Sequence, residues 1–276
     1  MGRRDLLARV RTDRDAKWVQ LRPPLKWAGG KRWLAPHLAP IWAGHNHKRL
    51  VEPFCGGLAV ALSLRPRRAL LNDANPHLVN FLRHLRDGLR IEIDMRNDKE
   101  LYYSHRVRFN ELIASGQADG PDAASLFYYL NRTGYNGLCR FNNSGEFNVP
   151  FGRYKAIRYK TEFDAFGEIL ADWQFTCGDF KDIALDSKDF IYADPPYDVQ
   201  FTQYSRGGFT WDDQVRLAHW LAAHPGPVVA SNQATERIVS LYGDLGFVLR
   251  FLDAPRMISC TGDRTPAREM LATKNV

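Results

Sequence analysis

Apolar residues along this chain fall into short blocks whose spacing alternates between strand-like and helical periods, with polar, glycine-containing stretches between them. Blocks at 50–53, 69–71, 174–177, 189–193, 228–230, 247–252 and 270–272 are short and predominantly apolar, as strands covered on both faces are. Segments of helical spacing lie among them at 33–38, 58–64, 163–171, 211–223 and 235–242. That alternation predicts an α/β fold, a doubly wound, mostly parallel sheet with helices on both faces. Residues 76–131 interrupt it with three successive helices, apolar at Leu78, Phe81, Leu82 and Leu85, then Tyr102, Val107, Phe109, Leu112 and Ile113, then Ala124, Leu126, Phe127 and Leu130. Their aromatic residues read as core. From Asn131 to Tyr159 periodicity disappears and Asn, Gly, aromatic and basic residues take over, with a hairpin turn predicted at Asn142-Asn143-Ser144-Gly145 between Arg140 and Glu146. The chain accordingly divides into an extension (1–22), a main domain (23–90 and 161–276) and a helical and hairpin insert (91–160). Segment 198–208 is polar and long enough to be a mobile lid.

A doubly wound sheet binds its ligands at the carboxyl ends of its strands, and three signals fall on that edge. In the first, a short strand ending at Glu52-Pro53 runs into Phe54-Cys55-Gly56-Gly57 and then a helix, the build of a nucleotide-type βα unit whose glycines permit a tight turn against a cofactor. In the second, Asp73 stands at the tip of the next strand, seventeen residues past Gly56. A carboxylate there is placed to hold ribose hydroxyls, or to cap the helix that begins near Pro76, or both. The third is Phe190-Ile191-Tyr192-Ala193-Asp194-Pro195-Pro196-Tyr197, an apolar strand that delivers a rigid polar loop. Prolines fix their own φ, extend the residue before them and donate nothing, so the Asp194 carboxylate and Pro195 carbonyl are free to face outward as acceptors. Two acceptors beside the Tyr197 ring suit a planar amino group such as the exocyclic amine of a nucleobase. A bare Asp-Pro would read only as a turn; four such residues in a row after a strand read as a site. Upstream, Gly29 and Gly30 lie between Trp27 and Lys31 ahead of a helix, suiting either an anion such as an amino-acid carboxylate or a plain loop entry.

Composition narrows the classes. With 276 residues, 45% of them hydrophobic, the chain buries one sizeable core or one core plus a small insert. It has no apolar run of membrane length, and its first fourteen residues alternate Arg and Asp, so neither a span nor a secretory signal is expected and a cytoplasmic location is the expectation. Cys55, Cys139, Cys177 and Cys260 are far apart, which indicates neither a disulfide frame nor a metal site. The net charge of +7 is unevenly spread: residues 131–160 carry +5 and 1–24 carry +4. Basic residues interleaved with Tyr135, Phe141, Phe147, Phe151, Tyr154 and Tyr159 suit a polyanion contact, and a solvated basic surface gives the same count.

Taken together these motifs resemble the Dam-type (D12 class) DNA adenine-N6 methyltransferases, from Leu25 onward. Asp194-Pro195-Pro196-Tyr197 resembles their motif IV, Leu25-Lys26-Trp27-Ala28-Gly29-Gly30-Lys31 their N-terminal cofactor motif, and Glu52-Pro53-Phe54-Cys55-Gly56-Gly57 their motif I. Asn131 through Arg140 and Gly145 through Tyr154 resemble their DNA-reading insert. The resemblance implies a Rossmann-like class I methyltransferase fold with a small DNA-recognition insert, and methyl transfer from S-adenosylmethionine to a flipped adenine in duplex DNA within GATC. It implies catalysis by Asp194, Pro195, Pro196 and Tyr197, and cofactor contacts from Trp27, Gly29, Gly30, Lys31, Glu52, Phe54, Gly56, Gly57, Asp73 and Asp194. DNA contacts would come from Lys26, Asn136, Leu138, Arg140, Asn148, Pro150, Arg153, Tyr154 and Lys155. No metal and no membrane are implied, and the enzyme would act as a monomer, nucleoid-associated or phage-encoded, in a bacterial cytoplasm. None of the cysteines follows a proline, unlike the nucleophile of cytosine-C5 methyltransferases. The sequence departs from the family at Leu58, where motif I usually has a second glycine, and in the extension before Leu25. A catalytically silent DNA-binding module and an RNA adenine methyltransferase are the alternative readings.

Overall fold

The computed structural model describes residues 21–198, 208–254 and 267–276; most of the basic extension and of the predicted lid lie outside them. The chain forms two compact units. One comprises residues 21–30, Gly56–Arg65 and Pro76–Phe175, the other Lys31–Cys55, Pro66–Asn75 and the described residues from Thr176 onward.

The second unit carries the sheet. Its strands are β1 (Leu50–Glu52), β2 (Ala69–Asp73), the end of β3 (Trp173–Cys177), β4 (Phe190–Ala193), β5 (Val228–Gln233), β6 (Val248–Ala254) and β7 (Ala267–Lys274), with strand order β3-β2-β1-β4-β5-β7-β6. β1 pairs in parallel with both β2 and β4, and β4 with β5. β7 runs antiparallel to β5 and β6, so the sheet is mixed rather than wholly parallel. Its buried apolar side chains, Val51, Leu70, Ile191, Val228 and Ala230 among them, pack with α7 (Trp211–Ala222) and α8 (Glu236–Asp244) through Leu217, Leu221, Ile238 and Tyr242. α7 starts at a reciprocal capping box between Thr210 and Asp213, and α1 (Ala35–Ala43) sets Trp42 edge-on against Phe190 of β4.

β5 runs three residues past its predicted end. Ser231, Asn232 and Gln233 end the apolar run in sequence, yet they stay in the ladder because β7 pairs with them at Leu271, Met270 and Glu269.

The first unit is mainly helical: α2 (Ala59–Leu64), α3 (Pro76–Arg86), α4 (Lys99–Ala114), α5 (Pro121–Thr133) and α6 (Asp164–Leu170). The predicted aromatic core is present. Phe81 of α3 stacks on Tyr128 of α5 at 5.6 Å, and Phe109 of α4 meets Phe127 and Phe147. Asp98 caps α4 by accepting from the Leu101 amide. The hairpin closes through the Asn142 and Glu146 backbones and is clamped to α4, where Asn110 bonds both backbone groups of Phe147 and the Tyr102 hydroxyl donates to the Val149 carbonyl at 2.8 Å. No described helix is long and apolar enough to cross a membrane.

Candidate active site

The second unit is considered first. β1 and β4 lie side by side although the chain leaves β1 toward β2 on its other side, the kind of reversal at whose carboxyl ends doubly wound sheets take their ligands. Asp194 follows β4 directly, and its loop is braced at the Asp194 carboxylate, the Pro196 carbonyl and the Tyr197 hydroxyl. The Asp194 Oδ1 accepts from Ser231 Oγ at 3.0 Å, and because that hydroxyl has only one proton, the Tyr192 hydroxyl 2.8 Å away donates to it in turn. The Pro196 carbonyl accepts from Gln214 Nε2 at 2.8 Å, and Gln214 is fixed by Asn232 Nδ2 at 2.9 Å. No described residue donates to the Pro195 carbonyl.

A buried charge cluster underlies the loop. The Lys31 ammonium, 4% exposed, lies 2.7 Å from Asp194 Oδ1 and 3.6 Å from Glu269 Oε1. Glu269, from β7, is 1% exposed and accepts from the Tyr197 hydroxyl at 2.6 Å, while Lys31 sits 4.7 Å from the Tyr197 ring centroid. Burial pulls the Lys31 ammonium down, but Asp194, Tyr197 and Glu269 outweigh it and hold the ammonium far above the ordinary lysine range. Burial pushes the Glu269 carboxyl up despite Lys31 and the Tyr197 hydroxyl, and pushes the Tyr197 phenol up despite Lys31. From the sequence, Gly29-Gly30-Lys31 suits an anionic ligand; in the structure the Lys31 charge is engaged with two carboxylates of its own chain.

Glu52 is buried at the end of β1, and Asp73 closes β2, where its Oδ1 accepts from the Asn75 amide ahead of α3. The Cys55 thiol between them is pushed well up by burial first, then by Asp73 and Glu52. Phe54 packs against Phe180 and Phe209. Among the described residues no group of His, Cys, Asp and Glu is arranged to hold a metal ion.

In the first unit, Trp27 lies flat against the glycine turn. A methyl group on Gly56 would meet the Trp27 Nε1 at 2.7 Å and one on Gly57 its Cβ at 2.9 Å, so these two glycines are what let the indole sit there. Leu58, where the family pattern has glycine, takes the left-handed conformation (φ 66°) that glycine would adopt freely, with its side chain fully buried. Gly29 and Gly30 lie exposed beside the indole's chain segment, Gly29 at φ 77°.

Asn131, Arg132, Gly137 and Tyr154 of the insert meet Lys26. Its backbone exchanges two bonds with the Asn131 amide, at 2.8 and 2.7 Å, and its ammonium donates to the Arg132 carbonyl while lying 3.5 Å from the Tyr154 ring centroid. A Cβ on Gly137 would strike Lys26 at 2.3 Å. Burial first and Arg132 second bring the Lys26 ammonium down to about 8. Arg140 does not pair with Glu146 across the hairpin: its Nε donates to Asn148 Oδ1 at 2.7 Å, and Glu146 accepts from Asn142 instead. Asn136 and Arg153 both have positive φ, the Pro150 carbonyl accepts from the Tyr135 amide, Leu138 is half-buried and Lys155 is exposed.

Sequence reasoning had not singled out Ser231, Gln214, Asn232 or Glu269. The polar triplet at the end of the apolar β5 run was a usable signal for the serine and asparagine; nothing local marks Glu269.

The model of the family described as D12 class N6 adenine-specific DNA methyltransferase matches residues 27–252. The chain is 37% identical over 270 residues to a DNA adenine methylase of Vibrio cholerae, covering 90% of this chain and 94% of that protein. It is 36% identical over 263 residues to the Retron Ec67 DNA adenine methylase of Escherichia coli, covering 90% of each. A type II methyltransferase of Methanocaldococcus jannaschii is 33% identical over 282 residues, covering 89% of this chain and 96% of its own.

Proposed function

Since this chain belongs to the D12 class N6 adenine-specific DNA methyltransferases, we propose that it transfers a methyl group from S-adenosylmethionine to the N6 of an adenine flipped out of duplex DNA, within GATC. The observation that carries this reading is the division of labour in the Asp194 to Tyr197 loop. Ser231, Lys31 and Gln214 hold its framework, while the Pro195 carbonyl receives no bond from a described residue. Asp194 and that carbonyl accept the two N6 protons, and the Tyr197 face stacks on the base. Accepting both protons draws the nitrogen toward tetrahedral geometry and turns its lone pair outward; the rate gain comes from this positioning. The N6 lone pair would take the methyl group directly as its bond to sulfur breaks, leaving a neutral thioether, so no covalent enzyme intermediate forms; the amine loses its extra proton to solvent after attack.

The acidic tips of β1 and β2 suit a donor that presents hydroxyls and a positive charge, with Asp73 the proposed holder of ribose hydroxyls and Glu52 and Phe54 its neighbours on the same edge. Bound there, the donor supplies an electrophilic methyl group on a cationic sulfur. Lys26 together with Leu138, Arg140, Pro150 and Tyr154 of the insert is the proposed base-reading surface, and Arg153, Lys155, Arg158 and Lys160 are the proposed phosphate contacts.

Plasmid DNA treated with the protein and donor, then challenged with nucleases sensitive to GATC methylation, tests the reading. N6-methyladenine by mass spectrometry with altered cleavage supports it; N4-methylcytosine, or preferential labelling of RNA, overturns it.

A further inference from the structure

We propose that Glu269 is a positioning residue for methyl transfer, fixing the Tyr197 ring through its hydroxyl and sharing Lys31 with Asp194. The proposal rests on the functional reading above only for what Tyr197 does; the contacts themselves are within one unit of the fold. Glu269 lies near the start of the antiparallel strand β7, opposite Gln233 of β5, and this antiparallel course returns it to the edge where β4 releases Asp194. There it is 1% exposed, with Oε2 accepting from Tyr197 at 2.6 Å and Oε1 facing the Lys31 ammonium at 3.6 Å.

A carboxylate so deeply buried with so few donors is a net cost to folding, since one hydroxyl and one shared ammonium do not replace its hydration. A leucine or methionine would fill the same volume without that cost. What the carboxylate supplies is direction. A charge-assisted O–H···O bond of this length fixes the phenol tip, and because a phenol O–H prefers its ring plane, the bond also favours the ring plane that contains the acceptor. Lys31, drawn toward Glu269 on one side and Asp194 on the other, is held beneath both functional groups of the loop. Glu269 thereby acts through Tyr197 and Lys31 and needs no contact with the base itself.

The test uses the full chain and the variants Glu269→Ala, Glu269→Gln, Tyr197→Phe and the Glu269→Ala/Tyr197→Phe double variant. Ring order is read from the 19F resonance of fluorotyrosine-labelled protein, the Tyr197 signal being the one lost in Tyr197→Phe. In Glu269→Ala that signal shifts and averages, while Glu269→Gln, whose amide oxygen still accepts, stays close to wild type. In methyl transfer, Glu269→Ala lowers kcat about 10- to 100-fold with KM for DNA little changed, as expected when a reacting constellation is misplaced rather than unbound. Glu269→Gln recovers part of it, and the double variant is no slower than the worse single one, because both changes cut the same link. An unchanged Tyr197 resonance in Glu269→Ala overturns the proposal whatever the activity. So do multiplying losses in the double variant, or a kcat loss that merely follows a fall in folded fraction with no recovery in Glu269→Gln. If the wild type methylates no adenine in DNA, the functional reading fails while the resonance still decides the contact.

Discussion

Replacing Lys31 with methionine removes the ammonium that the buried Glu269 and the half-buried Asp194 share while leaving a side chain of similar length. At an effective dielectric near 20, the 2.7 Å contact with Asp194 is worth about 6 kcal/mol and the 3.6 Å contact with Glu269 about 5 kcal/mol before desolvation. Burying each ion takes back several kcal/mol, and deleting only the cation from such an arrangement costs about 3–5 kcal/mol, because the remaining carboxylates are left uncompensated. Against a total stability of about 5–15 kcal/mol the variant folds but is visibly weakened. The pH response has a definite sign. The Glu269 carboxyl is already pushed up by burial, and losing Lys31, which opposes that rise, pushes it higher. A carboxyl with a folded pKa above its unfolded one binds its proton better when folded, so stability falls as pH rises through the folded value and returns on acidification. Urea unfolding of Lys31→Met should therefore show a large loss at pH 8, a smaller one near pH 5.5, and recovery of about 1–3 kcal/mol on adding Glu269→Gln. A variant within about 1 kcal/mol of wild type at pH 8 and indifferent to acid would refute the reasoning, since that is the size of an exposed pair.

Leu58→Gly relieves about 1–2 kcal/mol of left-handed strain but forfeits a fully buried leucine, a loss of about 2–5 kcal/mol. The net expectation is destabilisation, and a urea midpoint at or above wild type would show that strain dominates. With its ammonium brought down to about 8, Lys26 predicts opposite trends: the free protein gains stability as pH rises from about 8 toward 10.5, because the folded lysine loses its proton first, while affinity for duplex DNA weakens over the same range. Lys26→Met should abolish both trends; their persistence would exonerate Lys26. Arg140→Ala should relax discrimination at one position of GATC by about 1–3 kcal/mol, with Asn148→Ala a weaker version because Asn148 Oδ1 aims the guanidinium. Lys160→Ala should weaken all sequences alike and lower the salt slope by about one unit, and rates on singly substituted sites would expose a uniform loss for Arg140→Ala as positioning without base readout.

The sequence by itself determined whatever depends on neighbours along the chain. Periodicity located the strands and helices to within a few residues, because burial on one or two faces writes directly into spacing. The rigidity of Asp194-Pro195-Pro196-Tyr197 is likewise intrinsic to proline, and the glycine turn at Gly56-Gly57 is intrinsic to residues without Cβ. Pairing across long separations was decided only by the tertiary structure. Ser231 and Asn232 look like the end of a strand until β7 supplies their ladder, and Glu269 looks like a surface residue of a closing strand until the antiparallel course of β7 returns it to the carboxyl edge. Lys31 likewise reads as an anion site from its glycine neighbours alone; its burial between Asp194 and Glu269 depends on two segments more than 160 residues away, whose meeting no local pattern encodes.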